Sequence, residues 1–364
     1  MPDFTIEEIA AALGAQVLGA RDLRVTHVAE PQDAGPEALA LAMKPAYLEA
    51  LGVGQARAAL LYDGADWQAL GLDAAIIPQR PRFAMAQLTP LMDPGQGFAA
   101  GIHETAVIAP DAQVAPDAQI APFCVIASGA QIGPRCVIGP GCYIGWQAQL
   151  GEDALLREHV SLGARVQVGA RAIIGPGSKI GADGFSFVTP ETSGVEQVRA
   201  SLGSENAAEA QAWARIHSLG SVRLGADVEL GGNCVIDNGT VRDTEIGAGT
   251  KLDNLVHIAH NVVIGHDCLL CGQVGIAGSA RIGDNVVMGG QVGVGDNLTV
   301  GDRVVCGGAT KVMSSVPAGR VMLGYPATQM DKQIESYKAL RRLPRVLRDI
   351  AALQKFVSKR GGAD

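Results

Sequence analysis

The sequence predicts a mainly β protein: a parallel β-solenoid flanked by a small N-terminal α/β domain and a C-terminal helical tail. Three observations carry this. A six-residue beat runs through the middle of the chain, glycine is abundant while aromatic residues are scarce, and both flanks lack the beat. From Ile102 every sixth residue is aliphatic through Ile180, fourteen positions in all. Four residues after each stands a small or β-branched residue, as in Ala106, Cys124, Val160 and Ser178. The beat lapses over 185–218, resumes at Leu224, Leu230 and Ile236, slips by four residues at "VRDT" (241–244), and runs on from Ile246 to Val312.

Neither a helical period of 3.6 nor a strand period of 2 gives this spacing. A repeat of six suits a two-residue strand and a tight corner, with one large and one small side chain turned inward. Three such strands close a triangular coil, and successive coils stack through parallel-strand hydrogen bonds. The 29 hexads make nearly ten coils. At about 4.8 Å per stacked strand the column is roughly 45 Å long. Forty-seven glycines are available for the corners, and an aromatic content of 4% suits a core too narrow for rings. Five of the seven cysteines (Cys124, Cys136, Cys142, Cys234, Cys268) fall on the small inward position and read as packing residues.

In the first 98 residues, "TIEEIAAALG" carries a capping box from Thr5 to Glu8 and stops at Gly14, which predicts a short helix. The strand-like runs "LRVTHVA", "AALLY" and "AAIIP" make this segment a small α/β domain. The repeat domain spans 99–322 with an insertion at 185–218. The tail, 323–364, places Ile334, Tyr337, Leu340, Leu343, Leu347, Ile350 and Val357 near helical spacing, and Pro344 is expected to split it into two helices.

A net charge of −8 argues against a general phosphate-backbone binder. The charge is uneven: residues 331–360 hold nine Lys/Arg against three Asp/Glu, a local +6 that leaves about −14 elsewhere. Such a tail suits docking to an acidic partner, and equally a solvated helix face. The N-terminus shows no secretory signal and no stretch reads as a membrane span. An odd cysteine count without CxxC pairs fits a reduced, cytoplasmic protein.

The segment "LVHIAHNVVIGHD" (255–267) holds three of the seven histidines. In the repeat frame His260 and His266 are third residues of successive hexads, so both face outward at successive corners. His257 closes the preceding hexad. Three readings compete. Any one of these histidines is a polar surface residue by default. A zinc site needs three imidazoles within about 2.1 Å of one ion, which the corner geometry does not provide within one chain. A general base suits an imidazole with an ordinary pKa near 6.5.

The order of α/β cap, hexapeptide column with a mid-column loop, and helical tail resembles the UDP-3-O-acylglucosamine N-acyltransferase branch of the hexapeptide-repeat acyltransferases. The likeness rests on "RPRFAMAQLTPLMDP", "GIHETAVIAPDA", "GADGFSFV", "IDNGTVRDTEIGAGTKLDN" and "HIAHNVVIGH". The resemblance implies a left-handed parallel β-helix and a homotrimer. It also implies an N-acyl transfer in lipid A biosynthesis, from acyl carrier protein to UDP-3-O-acylglucosamine, with no bound cofactor or metal. It puts the base at His260 of "IAHN", with His257 and His266 as bystanders, and makes Asp253 and Asn254 candidate orienting or sugar-contacting groups. Gly278, eighteen residues on, is the candidate oxyanion donor through its N–H. Where the family often has a second histidine two turns above the base, this chain has Asn297, which cannot titrate. The family's uridine element matches "LAMKPAY" with Tyr47 kept as the stacking ring, while Leu41 and Lys44 replace a Phe and an Asn. The same fold also serves acyltransferases that use coenzyme A or acylate a hydroxyl, trimeric metalloenzymes and non-catalytic scaffolds. The mixed outward residues here lack the flat Thr rows of an ice-binding face.

Overall fold

The computed structural model describes residues 3–201, 203–204, 209–325 and 327–360, in two compact units that divide between Phe98 and Ala99. The last four residues of the tail, and 202 and 205–208 of the insertion, lie outside the described residues.

The first unit is a five-stranded sheet in the order Gln16–Gly19, Ala74–Ile77, Ala58–Leu61, Ala38–Ala42, His27–Ala29. Only the pairing of Gln16–Gly19 with Ala74–Ile77 is antiparallel. Both faces of the sheet are buried, which is why the central strands read as unbroken apolar runs. One face carries the helices Ile6–Leu13 and Pro81–Met92. The first begins at the Thr5–Glu8 capping box and ends at Gly14, whose φ of 58° is the left-handed cap that glycine adopts without strain.

The second unit is the predicted solenoid. Its three faces are parallel sheets of ten, ten and nine strands, mostly two residues long. Neighbouring strands in a sheet pair residues eighteen apart in the regular stretches, such as Ile258 with Ile276 and Ile276 with Val294. The aliphatic beat lines one continuous core, and Ile258, Leu270 and Ile276 are fully or almost fully buried. Each contributes about 1.5–3 kcal/mol through burial. The five inward cysteines are buried free thiols.

The corners differ from expectation. Most are turned by a non-glycine residue with positive φ in the fourth hexad position, such as Asn261 (63°) and Ser279 (61°). Many of the column's glycines occupy the second position instead, where coils nearly touch. A β-carbon on Gly145 would come within 2.7 Å of the Gly163 backbone.

The tail is one helix, Met330–Arg360, and Pro344 does not divide it. Proline deprives only the Leu340 carbonyl of its intrahelical donor. Leu340 is 61% exposed, so water can satisfy that carbonyl while long helical arms on both sides hold the course.

Both irregularities in the beat become local structure. The insertion forms an antiparallel pair, Phe187–Val188 with Ala214–Arg215, and a helix, Gly194–Ser201. The slip lengthens the corner between the strands Val235–Asp237 and Thr244–Ile246.

Candidate active site

Both irregularities abut the coil that carries His260. The residue lies at a corner, half-buried, after the strand His257–Ile258. Its neighbour Asn261 is buried in the lengthened corner made by the slip. Thr240 donates to Asn261 Oδ1 from its backbone N (3.2 Å) and its hydroxyl (2.9 Å). Asn261 Nδ2 donates to the Arg242 carbonyl at 3.3 Å, and its backbone N donates to Thr244 Oγ1 at 2.9 Å. Arg242 Nη2 in turn donates to the Asn261 carbonyl at 2.8 Å.

These contacts fix the carboxamide with its oxygen as acceptor. That oxygen also lies 3.0 Å from His260 Nδ1. An amide oxygen cannot donate, so Nδ1 of the neutral ring carries the hydrogen and Nε2 keeps a free lone pair. The corner thus selects the tautomer a base needs.

The strand register stacks Gly278 one coil above His260. A β-carbon on Gly278 would lie 2.6 Å from the ring's Cε1 and 2.8 Å from Nε2. The ladder uses the N–H groups of Ala277, Ser279 and Arg281, and no acceptor meets the Gly278 N–H among the described residues. Below His260, Gly184 packs against its Cβ, where a β-carbon would approach to 2.8 Å. Glycine on both sides leaves the imidazole room to stand at the corner.

His260 and Gly278 line a cavity of about 1140 Å³. Phe187, Val195 and Trp213 of the insertion line it too, as does the exposed Met313 of the column. Asn297 is also there, exposed, with Nδ2 donating to Asp296 Oδ2 at 3.2 Å. The register places Asp296, not Asn297, directly two coils above His260.

The cavity also holds a histidine that the sequence reading set aside. His257 Nε2 lies 3.3 Å from Asp237 Oδ2, and both residues line the cavity. Asp237 is only 5% exposed. The hydrogen bond to this carboxylate raises the His257 pKa above the usual 6.5 against the opposing effect of burial. A sequence signal existed in "VID", where a polar residue ends a strand 20 positions before His257, but only stacking shows that the two meet.

Asp253 and Asn254 do not line the cavity. Asp253 accepts from the backbone N of Asn254 (2.7 Å) and of Gly272 (2.9 Å), and Asn254 Oδ1 accepts from Gly232 N at 2.6 Å. They tie adjacent coils together at another corner. His266 is exposed on the corner after His260 and outside the cavity, so the three clustered imidazoles do not converge. Among the described residues no group of three His, Cys, Asp or Glu is placed to hold a metal ion. Tyr47 ends the short helix Pro45–Tyr47 in the first unit, 43% exposed, with Lys44 exposed and Leu41 partly buried.

The bacterial transferase hexapeptide (six repeats) family matches residues 111–145 and 243–278, the second match containing His260 and Gly278. A UDP-3-O-acylglucosamine N-acyltransferase of Ruegeria pomeroyi is 68% identical over 361 residues, covering 99% of both chains. One from Paracoccus denitrificans is 60% identical, covering 98% of this chain and 97% of its own. One from Pseudomonas paraeruginosa is 40% identical over 75% of this chain and 71% of its own. With an imidazole poised at a glycine-cleared corner and likeness over nearly the whole chain, the protein belongs to the UDP-3-O-acylglucosamine N-acyltransferase family and is an acyltransferase of the hexapeptide-repeat fold.

Proposed function

We propose that the enzyme moves a 3-hydroxyacyl chain from acyl carrier protein to the 2-amine of UDP-3-O-acylglucosamine in lipid A biosynthesis, with His260 as general base. The observation that carries this is the fixed tautomer of His260, whose lone pair at Nε2 faces the same cavity as Gly278.

The amine nitrogen attacks the thioester carbonyl while Nε2 takes its proton. Charge develops on the carbonyl oxygen, and the Gly278 N–H donates to it. Collapse breaks the carbon–sulfur bond, and the thiolate leaves with the proton that His260 held. Asn261 keeps Nδ1 protonated throughout, so the ring cycles between neutral and charged forms without rotating. No other cofactor enters these steps.

The exposed Tyr47 ring supplies a stacking face for uracil, and Asn297 a hydrogen-bonding group for a hydroxyl or phosphate. One solenoid face turns Val137, Leu155 and Ile173, then Leu269, Val287 and Val305, outward along its column. Such a face calls for cover, and a homotrimer supplies it. The Met330–Arg360 helix carries the basic excess that attracts an acidic carrier.

The test is acyl transfer from defined hydroxyacyl carriers to UDP-3-O-acylglucosamine, run beside coenzyme A thioesters and a hydroxyl acceptor. Preference for the carrier and the amine supports the reading. Preference for coenzyme A or the hydroxyl would move the enzyme to another branch of its fold.

A further inference from the structure

The 185–218 insertion has no place in the repeat, yet it is built with care. At its root Gly184 N donates to Ser218 Oγ at 2.9 Å, and Gly184 itself presses on His260. The Phe187 ring packs edge-on to Phe185 with centroids 4.9 Å apart. The Arg215 guanidinium stands 4.9 Å over that ring, and its Nη1 lies 4.0 Å from the Asp183 carboxylate. The helix Gly194–Ser201 begins with a reciprocal cap: Ser193 N and Oγ donate to Glu196 Oε2 at 2.7 and 2.8 Å, and Glu196 N donates to Ser193 Oγ at 3.3 Å.

This framework presents Val195 and Trp213 to the cavity while leaving them 53% and 58% exposed. Met313, 82% exposed, lines the same cavity, while Ile276 and Val294 keep their side chains in the core at 1% and 4% exposure. At Gly275 the floor is bare, since a β-carbon there would meet open space, whereas the Lys311 stem lies over Gly293, its Cδ 3.2 Å from where a β-carbon would stand. Val195, Trp213 and Met313, all exposed around one cavity, are expensive to leave against water. The groove runs from His260 and Gly278, where the reacting carbonyl must sit, so the apolar chain attached to that carbonyl is the occupant that begins in the right place.

We propose that the insertion's described stretches around Phe187–Val195 and Trp213 form the outer wall of the groove for the transferred acyl chain, and that Val195 and Trp213 set the chain length accepted. This rests on the acyl-transfer reading above and adds a specificity role for a segment that lies off the column. Hydrophobic pockets discriminate by fit, and a methylene that cannot be housed costs about tenfold or more.

The experiment measures kcat/KM for 3-hydroxyacyl carriers of ten to sixteen carbons with wild type, Val195→Trp, Val195→Ala and Trp213→Ala. In parallel, calorimetry measures binding of the matching hydroxyacyl-phosphopantetheine thioesters to each protein. Val195→Trp is expected to lower the longest-to-shortest ratio by about tenfold or more, and the two alanine variants to raise it, in both measurements. Identical chain-length profiles in all four folded proteins would overturn the proposal. So would unchanged profiles accompanied by a change in oligomeric state, because the wall would then cover a neighbouring copy. If wild type binds the thioesters with the predicted ranking but transfers no acyl group to the amine, the proposed reaction fails and the wall stands.

Discussion

Gly278 stands one coil above His260 with no room for a side chain: a β-carbon there would lie 2.6 Å from the imidazole Cε1. The contact is with a ring whose exact placement matters for proton transfer. Gly278→Ala is therefore expected to push the imidazole aside, and a displacement of this kind costs about 10²-fold in kcat. Thermal unfolding should change little, because the ring sits at a corner and not in the core. Steady-state kinetics beside a melting curve check both halves.

Asn261 decides which imidazole nitrogen is free. Asn261→Asp keeps the shape and replaces a neutral acceptor with a carboxylate, which favours the protonated ring. A base must be unprotonated to act, so the acid limb of the kcat/KM profile should move to higher pH. Asn261→Ala instead removes the side-chain partner of the Thr240 N–H and hydroxyl and of the Arg242 carbonyl, at a cost of up to about 1–3 kcal/mol for each group left unpaired. A pH–rate profile for the first variant and denaturant unfolding for the second are the measurements.

His257 offers a stability test separate from catalysis. Its pKa is raised in the folded protein by Asp237, so the pair's stabilising contribution is complete below the unfolded value near 6.5 and is lost as pH climbs through the folded value. Wild type should lose some melting temperature as pH rises from 6.5 upward, and Asp237→Asn should lose less over that window. Parallel slopes for the two proteins would show that the pair carries no such linkage.

The solenoid was legible because its core repeats a physical requirement every six residues, and Ile258 or Ile276 announces itself by position alone. His260 was legible as an outward corner residue. What the sequence hid lies where the repeat breaks. Asn261 acquires its role only because the slip brings Thr240 and Arg242 round it, and His257 finds Asp237 only through stacking of coils 20 residues apart. Asp253 and Asn254 looked functional because polar side chains precede the base, but the backbone of adjacent coils claims them. Pro344 misled for the opposite reason: a general rule about proline met an exposed carbonyl that tolerates it.

Between Asp331 and Lys355 the tail helix exposes its charged residues, so attraction to an acidic carrier is screened by salt. Raising ionic strength from about 0.05 to about 0.3 M should raise KM for the carrier substrate and leave KM for a small thioester nearly unchanged. Equal salt sensitivity of the two donors would remove the helix from carrier capture.

The central claim is that proton removal at the acceptor amine runs through one imidazole on an outer corner. Single-turnover acyl transfer with His260→Ala measures it most directly, at saturating donor and acceptor. The account predicts a fall of about 10²–10⁴-fold in the chemical step with the fold and donor binding intact. A variant that transfers the acyl group at the wild-type rate would contradict it.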